Sequence, residues 1–295
     1  MALENHILKE RQRAEQLAST LPPLLIAANR VAATVAQGVH GRPRVGQGET
    51  FWQFRRYQTG DSASAIDWRQ SGKSQAVFIR ETEWEAAQSV WLWRDTSPSM
   101  DYQSSDQLQT KADRAALLLL ATSSIMMRGG ERFTLLGTGI PPASGKSAFN
   151  QLSDVVLREN IIAENTPPYE QLPRYAQVIL FGDFLSPLPS LSKAIMEIAG
   201  HGVAGQMVQV LDPAEETLPF RGRVRFADLE SEVNALIGRV EAVRESYMQR
   251  LDDHRAGLRE IARRAGWGFH VHHTDEPPEK LLLTLYTILA QVVRN

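Results

Sequence analysis

From about residue 88 onward, runs of apolar residues alternate with segments in which apolar residues recur at helical spacing. The resulting order is strand, helix, strand, loop, helix, strand, helix, strand, excursion, helix, strand and helix. This alternation predicts an α/β domain over residues 87–295, with a mostly parallel sheet, flanking helices and an excursion near 212–230. The strands are predicted at 90–93, 132–136, 176–181, 203–211 and 267–272, and the helices at 112–127, 149–157, 188–199, 240–261 and 280–293.

The first 86 residues follow a different pattern. Residues 1–38 have apolar positions at helical spacing interrupted by two prolines, which predicts an N-terminal helical segment. Residues 39–86 contain short aromatic pieces punctuated by glycines, which predicts a small β-rich subdomain. The most apolar early stretch, 21–35, is shorter than a bilayer span and contains Asn29 and Arg30, so we expect no transmembrane segment.

Composition narrows the function classes. With 43% hydrophobic residues in 295, the chain has enough apolar side chains for a sizeable core. The formal net charge of -2 argues against a general attraction to nucleic acid or to anionic membranes. The chain contains no cysteine, which excludes disulfides, thiolate zinc sites and cysteine nucleophiles and fits a reducing compartment. We therefore expect a cytoplasmic protein that is peripheral to a membrane only through its partners.

Two apolar strands end in carboxylates, which makes their ends the candidate functional site. The first runs into a polar turn with Asp95, Ser97 and Ser99, and the strand at 176–181 is followed by Asp183. Open α/β sheets bind ligands at the carboxyl ends of their strands. Oxygen donors without Cys or His suit Mg²⁺, or another divalent cation, held directly or through water. One open coordination position would accept a carboxylate from another protein.

These motifs resemble those of two known families. The turn Asp95-x-Ser97-x-Ser99 resembles the metal-ion-dependent adhesion site of von Willebrand factor A domains, and Gly182-Asp183-Phe184 resembles a later motif of that site. Three upstream segments resemble the signature of the bacterial family called domain of unknown function 58: Gly46-x-Gly48-Glu49-x-Phe51, Arg55-x-Tyr57-x-x-Gly60-Asp61 and Ile66-Asp67-Trp68. The resemblance implies a von Willebrand A-like (Rossmann-like) fold. It also implies a MoxR-type AAA+ ATPase partner and a chaperone-like role in assembly or maturation of other proteins.

The remaining ligands of the site stay open at this point. Adhesion sites of this type usually add a threonine from a separate loop, and Thr138 and Thr166 are both candidates. Arg94 directly precedes Asp95. Its charge would weaken cation binding if it pointed into the site, and would have no such effect if it pointed to the opposite face.

Two function classes compete. The leading hypothesis is a non-enzymatic protein-binding module that uses a metal-ion-dependent adhesion-type site. The alternative is a Mg²⁺-dependent phosphohydrolase of the haloacid dehalogenase type with Asp95 as nucleophile, although that family has a second Asp where this chain has Ser97. A serine hydrolase is disfavoured because neither Ser97 nor Ser99 lies in a Gly-x-Ser-x-Gly turn.

Two other groups of residues have both structural and functional interpretations. The alternation of charged and aromatic residues near 55–69 favours Arg–carboxylate pairs that fix a turn, with a partner-facing surface as the functional alternative. That surface would comprise Arg55, Arg56, Asp61, Asp67 and Trp68. His270 and His272 alternate on a predicted strand as transition-metal ligands would, but a structural role is favoured because no acidic ligand accompanies them in sequence.

Overall fold

The computed structural model of the protein describes residues 45–46, 50–58, 66–73, 76–83, 89–157, 165–200, 202–227 and 234–292. The predicted N-terminal helical segment lies outside these residues. The chain divides into two compact units, of which one contains residues 29–87 and the other contains residues 88–290.

The smaller unit contains a three-stranded antiparallel sheet. Its strands are β1 (Val45–Gly46), β2 (Thr50–Arg56) and β3 (Phe78–Glu83), in the order β1-β3-β2. Between β2 and β3 lies the short helix α1 (Trp68–Ser71), which begins after Asp67. The Asp67 carboxylate accepts a hydrogen bond from the backbone N–H of Gln70 at 2.8 Å, as an N-cap residue does.

The larger unit is built on a five-stranded sheet in which all neighbouring strands are parallel. In chain order its elements are β4 (Ser89–Arg94), α2 (Lys111–Gly129), β5 (Arg132–Leu135), α3 (Gly145–Val156), β6 (Gln177–Gly182), α4 (Leu188–Ala199), β7 (Ala204–Leu211), α5 (Pro213–Thr217), β8 (Val224–Ala227), β9 (Asn234–Ile237), α6 (Val240–Ala265), β10 (Gly268–His273) and α7 (Pro278–Val292).

Helices cover both faces of this sheet, and the side chains of each strand point alternately to one face and the other. Val90 and Leu92 of β4 belong to an apolar cluster with α2, α3 and α7. Trp91 and Trp93 of the same strand belong to a second cluster with α4 and α6. Strands buried on both sides are continuous hydrophobic runs, which is why β4 and β6 stand out in the sequence.

The strand order β10-β7-β6-β4-β5 places β4 and β6 side by side. The connection from β4 leads to one edge through β5, whereas β6, β7 and β10 follow one another toward the other edge. The side of β4 on which successive strands are added therefore changes between β5 and β6, and the boundary between β4 and β6 is a topological switch point, where doubly wound sheets bind ligands. The predicted α/β class, with a parallel sheet flanked by helices, is confirmed.

Two local predictions differ from the structure. Helix α3 begins at Gly145 rather than at Phe149. The excursion after β7, predicted near 212–230, contains the short helix α5 and the antiparallel pair of β8 and β9, so that it extends to Ile237. Among the described helices, none combines the length and apolar character needed to cross a bilayer.

Candidate metal centre at the carboxyl ends of β4 and β6

The turn after β4 is organised by Asp95. Its backbone N–H donates to the carbonyl of Phe181 at 2.8 Å, so the residue is held beside β6. Its Oδ1 accepts hydrogen bonds from the backbone N–H of Ser97 at 2.9 Å and from the Ser97 hydroxyl at 2.6 Å. Asp95 is 1% exposed and Ser97 is 4% exposed, so this network is shielded from bulk water.

Ser99 connects this turn to the end of β6. Its hydroxyl lies 3.0 Å from that of Ser97 and donates to Asp183 Oδ2 at 2.7 Å. Asp183 is itself fixed, since its Oδ1 accepts from the N–H of Leu185 at 3.1 Å and its carbonyl accepts from Gln209 Nε2 at 3.0 Å. The structure thus brings together the four residues predicted as metal ligands, and we call Asp95, Ser97, Ser99 and Asp183 the oxygen cluster.

Gly182 allows Asp95 to lie beside β6. A Cβ atom at this position would be 2.8 Å from Asp95 Cβ and 3.1 Å from Asp95 Oδ2. Real Cβ atoms do not approach other carbons this closely. The close position of Asp95 therefore requires a glycine at position 182.

The oxygen cluster has the donor types that a small divalent cation would need. Carboxylate and hydroxyl oxygens are the ligands of Mg²⁺, and neighbouring ligands around an octahedral Mg²⁺ lie about 3 Å apart when each bond is about 2.1 Å long. The Ser97–Ser99 and Ser99–Asp183 oxygen separations of 3.0 and 2.7 Å are close to that spacing. Among the described residues, no group of three or more His, Asp or Glu side chains is placed to hold a metal, so such a site here needs its hydroxyl ligands.

Lys111 and Glu215 complete the charged surroundings and were not predicted from the sequence. Lys111 is the first residue of α2 and is 1% exposed. Its Nζ lies 2.9 Å from Asp183 Oδ2 and 2.7 Å from Glu215 Oε1. Burial acts to lower the pKa of Lys111, but the two carboxylates outweigh burial and raise this pKa above its ordinary value. The raised pKa favours the charged ammonium form of Lys111 beside the oxygen cluster.

A third strand-end carboxylate, Asp212, has a structural role. It follows β7, accepts from the N–H of Ala214 at 2.8 Å and forms a capping box with Glu215 at the start of α5. Its other oxygen accepts from the N–H of Ser104 at 2.8 Å, which ties the polar turn after β4 to β7. The apolar run of β7 ending in Asp212 is the sequence signal that would have indicated this residue.

The structure separates the two threonine candidates. The Thr138 hydroxyl donates to the carbonyl of Leu135 at 2.7 Å and so closes the turn after β5. Thr166 lies in a segment next to the Asp183 loop, because the Ser186 hydroxyl donates to the carbonyl of Asn165 at 3.2 Å. Thr166 is thus the candidate whose neighbourhood includes the end of β6.

Arg94 is bound to α3. Its Nη2 donates to the carbonyl of Val156 at 2.9 Å, at the C-terminal end of that helix, where a cation is favourable. Burial lowers the pKa of Arg94, against the opposing effect of Asp113, Asp101 and Asp95. The sequence left open whether Arg94 points into the site. In the structure its guanidinium is bound to the end of α3.

The other candidate groups lie elsewhere. Asp67 caps α1, the neighbouring Trp68 is 70% exposed, and Arg56 is exposed. The side chain of Arg55 and residue Asp61 lie outside the described residues. Of the strand histidines, His270 contacts Gln206 at 2.9 Å and His272 is 1% exposed. Glu276 Oε2 lies 3.7 Å from His272 Nδ1, so the expectation that no acidic residue accompanies these histidines is wrong. The burial of His272 and the contact of His270 with Gln206 still support a structural interpretation.

A parallel sheet with an Asp-x-Ser-x-Ser turn at its switch point defines the von Willebrand A-like class of α/β domain. The chain belongs to the family described as "Protein of unknown function DUF58", whose model matches residues 53–257. The uncharacterized proteins Mb1516 of Mycobacterium bovis and Rv1480 of Mycobacterium tuberculosis are each 23% identical to it over 266 residues, with 85% of this chain and 83% of theirs covered.

Two solved structures are similar to the chain at low sequence identity. BatB from Bacteroides thetaiotaomicron has 13% identity and a TM-score of 0.43, and the similarity covers 70% of this chain and 100% of BatB. An aerotolerance-related membrane protein from Bacteroides fragilis has 15% identity and a TM-score of 0.41, with 70% and 98% covered.

Proposed function

We propose that the protein is a non-enzymatic protein-binding module whose oxygen cluster holds Mg²⁺, or another divalent cation, and thereby binds a Glu or Asp side chain of a partner protein. The observation that carries this proposal is the continuous series of oxygen atoms from Asp95 through Ser97 and Ser99 to Asp183 at the switch point. Ser97 and Ser99 each donate their proton to a carboxylate, so their oxygen lone pairs are left for a cation.

The surroundings of the cluster favour a cation at this place. Asp95 and Asp183 carry like charges and are 1% and 2% exposed, so a divalent cation between them reduces their mutual repulsion. A bound Mg²⁺ supplies a dense positive charge with open coordination positions, to which a partner carboxylate is attracted. The chain's own residues hold the cation and orient the turn that faces the partner.

The proposed partner class rests on the resemblance alone: the family that the upstream motifs resemble is commonly associated with MoxR-type AAA+ ATPases. In this proposal the domain links such an ATPase to chaperone-like assembly or maturation of other proteins. The carboxylate offered to the metal comes from the ATPase or from the protein it remodels. Binding of this kind requires no turnover at the oxygen cluster.

The test is capture of the MoxR-type ATPase of the same organism on the immobilised protein, in millimolar Mg²⁺ and in EDTA. We expect capture by the wild type in Mg²⁺, and loss of capture in EDTA and in Asp95→Asn. Asparagine keeps an oxygen that accepts from Ser97, so this variant removes charge with little change of shape. Asp106→Asn, in the exposed part of the same polar turn, is the matched control and should behave as wild type.

Equal capture by wild type and Asp95→Asn, with and without metal, would refute the metal-dependent mechanism. The same proteins decide the phosphohydrolase alternative. Mg²⁺-dependent hydrolysis of a generic phosphate ester by the wild type, abolished in Asp95→Asn, would replace the binding-module proposal with catalysis.

A further inference from the structure

Lys111 brings a positive charge to the oxygen that a divalent cation would use. Its Nζ is 2.9 Å from Asp183 Oδ2, and the same oxygen accepts the hydrogen bond from Ser99 at 2.7 Å. The Lys111 side chain is 1% exposed, so water does not screen this contact. An ammonium group of the chain itself is therefore already bound at one end of the oxygen cluster.

The position of Lys111 in the fold is unfavourable apart from its carboxylate partners. It is the first residue of α2, and the N-terminus of a helix carries a partial positive charge that repels cations. Its backbone N–H donates to the carbonyl of Tyr102 at 3.1 Å, which fixes the start of the side chain. The ammonium group is held by its pairing with Asp183 and Glu215, and the ring of Tyr102, with its centroid 5.9 Å from Nζ, is a further contact.

Glu215 is fixed in position as a second acceptor for the ammonium group. Its Oε2 accepts from the backbone N–H of Asp212 at 2.9 Å, as part of the capping box of α5. Its Oε1 is thereby directed toward Lys111 Nζ at 2.7 Å. The ammonium group contacts two carboxylates, of which only Asp183 belongs to the oxygen cluster.

We infer that Lys111 is a tethered cation that competes with the divalent cation for Asp183 and thereby sets the metal affinity of the site. Without metal, the ammonium group bridges Asp183 and Glu215; with metal bound to Asp183, Glu215 is the one carboxylate of this pair that still holds it. This inference rests on the proposed function, because it assumes that the oxygen cluster binds a divalent cation.

Simple distances support the competition. A metal about 2.1 Å from Asp183 Oδ2 and an ammonium nitrogen 2.9 Å from the same oxygen would lie at most about 5 Å apart. At that separation, in a site shielded from solvent, two cations repel each other strongly. Release of Asp183 by Lys111 relieves the repulsion, and Glu215 prevents the ammonium group from being left unpaired and buried.

The test is titration calorimetry with Mg²⁺ alone, together with thermal melting in EDTA and in Mg²⁺. It uses the wild type, Lys111→Met, Glu215→Gln and the double variant. We expect Lys111→Met to bind Mg²⁺ about tenfold more tightly, with a lower melting temperature in EDTA and a larger increase on adding Mg²⁺. Lys146→Met, which removes an exposed lysine at the start of α3, is the control and should match the wild type.

Glu215→Gln should weaken Mg²⁺ binding about threefold or more, because the displaced ammonium group loses its second partner. The double variant should bind Mg²⁺ with an affinity within about twofold of that of Lys111→Met, because without Lys111 there is no ammonium group for Glu215 to hold. If Glu215→Gln changes the Mg²⁺ affinity equally with and without Lys111, the inference that the ammonium group moves from Asp183 to Glu215 is refuted.

The outcomes separate this inference from the proposed function. Absence of Mg²⁺ binding in both wild type and Lys111→Met would contradict the metal site itself and the inference with it. Equal Mg²⁺ affinity in the two proteins would leave the metal site standing and overturn the role of Lys111. If Lys111→Met does not fold, Glu215→Gln decides alone, because it keeps the Lys111–Asp183 pair, and an unchanged affinity then refutes the inference.

Discussion

Gly182→Ala adds one methyl group at the point where β6 passes Asp95. The new carbon would lie 2.8 Å from Asp95 Cβ and 3.4 Å from the ring of Trp93. Since carbon atoms in good contact are about 3.5–4.0 Å apart, Asp95 or the strand must move by roughly 0.7–1.2 Å. The backbone hydrogen bond from Asp95 to Phe181, at 2.8 Å, resists this movement because it links the two strands at the same place.

The expected cost of this overpacking is about 2 kcal/mol of unfolding free energy, within a usual range of about 1–3 kcal/mol. For a domain of about 200 residues, this corresponds to a melting temperature lowered by about 4–8 °C. Mg²⁺ affinity should fall at least about tenfold, because Mg²⁺ tolerates little departure from octahedral geometry and shifted ligand surroundings weaken binding by this order.

The assay is thermal denaturation in EDTA and in Mg²⁺, with titration calorimetry for the metal. Gly238→Ala is the matched control, since a Cβ at this exposed glycine meets nothing within 4 Å. The control should change stability by less than about 0.5 kcal/mol. A Gly182→Ala protein with the melting temperature and Mg²⁺ affinity of the control would refute the close packing of Asp95 against β6.

Other perturbations have equally defined outcomes. Mg²⁺ at a hundred times the dissociation constant of the site should stabilise the wild type by about 2.7 kcal/mol and so raise its melting temperature. A melting temperature that does not change with Mg²⁺, in the wild type as in Asp95→Asn, would contradict the site. Burial, followed by the charges of Arg114 and His273, lowers the pKa of His272 to about 4 from 6.5. The unfolded chain therefore binds more protons in this window, and stability should fall by up to about 3 kcal/mol as pH decreases from 6.5 to about 4. Denaturant melts of His272→Gln should lack this part of the pH dependence, and an unchanged profile would refute it. Trp68→Ala should leave stability within about 0.5 kcal/mol of wild type but weaken ATPase capture about tenfold; undiminished capture would argue against Trp68 as a partner contact.

The positions of Asp95 and Asp183 follow from the sequence because each comes directly after a strand that is built mainly of apolar residues. The alternation of strands and helices then predicts a parallel sheet whose strand ends meet at one edge. The structure has the two residues joined through Ser99, which donates to Asp183 at 2.7 Å. Local pattern and topology were sufficient here because no irregular segment intervenes between strand and carboxylate.

Lys111 and Glu215 could not be predicted in the same way. Lys111 pairs with Asp183 and Glu215 across 72 and 104 residues, and these contacts depend on how the polar turn after β4 packs against α5. The five residues of α5 are too few to show a helical period in an apparent excursion.

The start of α3 shows a similar limit at short range. Its first turn consists of Gly145, Lys146 and Ser147, so the apolar periodicity begins only at Ala148 and Phe149. The two prolines shortly before it favour a loop, and the prediction therefore placed the helix start too late.

The bridge formed by Lys111 also constrains how the family can vary. One ammonium group satisfies two carboxylates, so replacement of the lysine alone leaves two acids facing each other without their shared cation. Replacement of Glu215 alone leaves the ammonium group with a single partner. In related proteins, the lysine and the glutamate at the positions corresponding to 111 and 215 should therefore be kept together or lost together, although the two positions are 104 residues apart in the sequence.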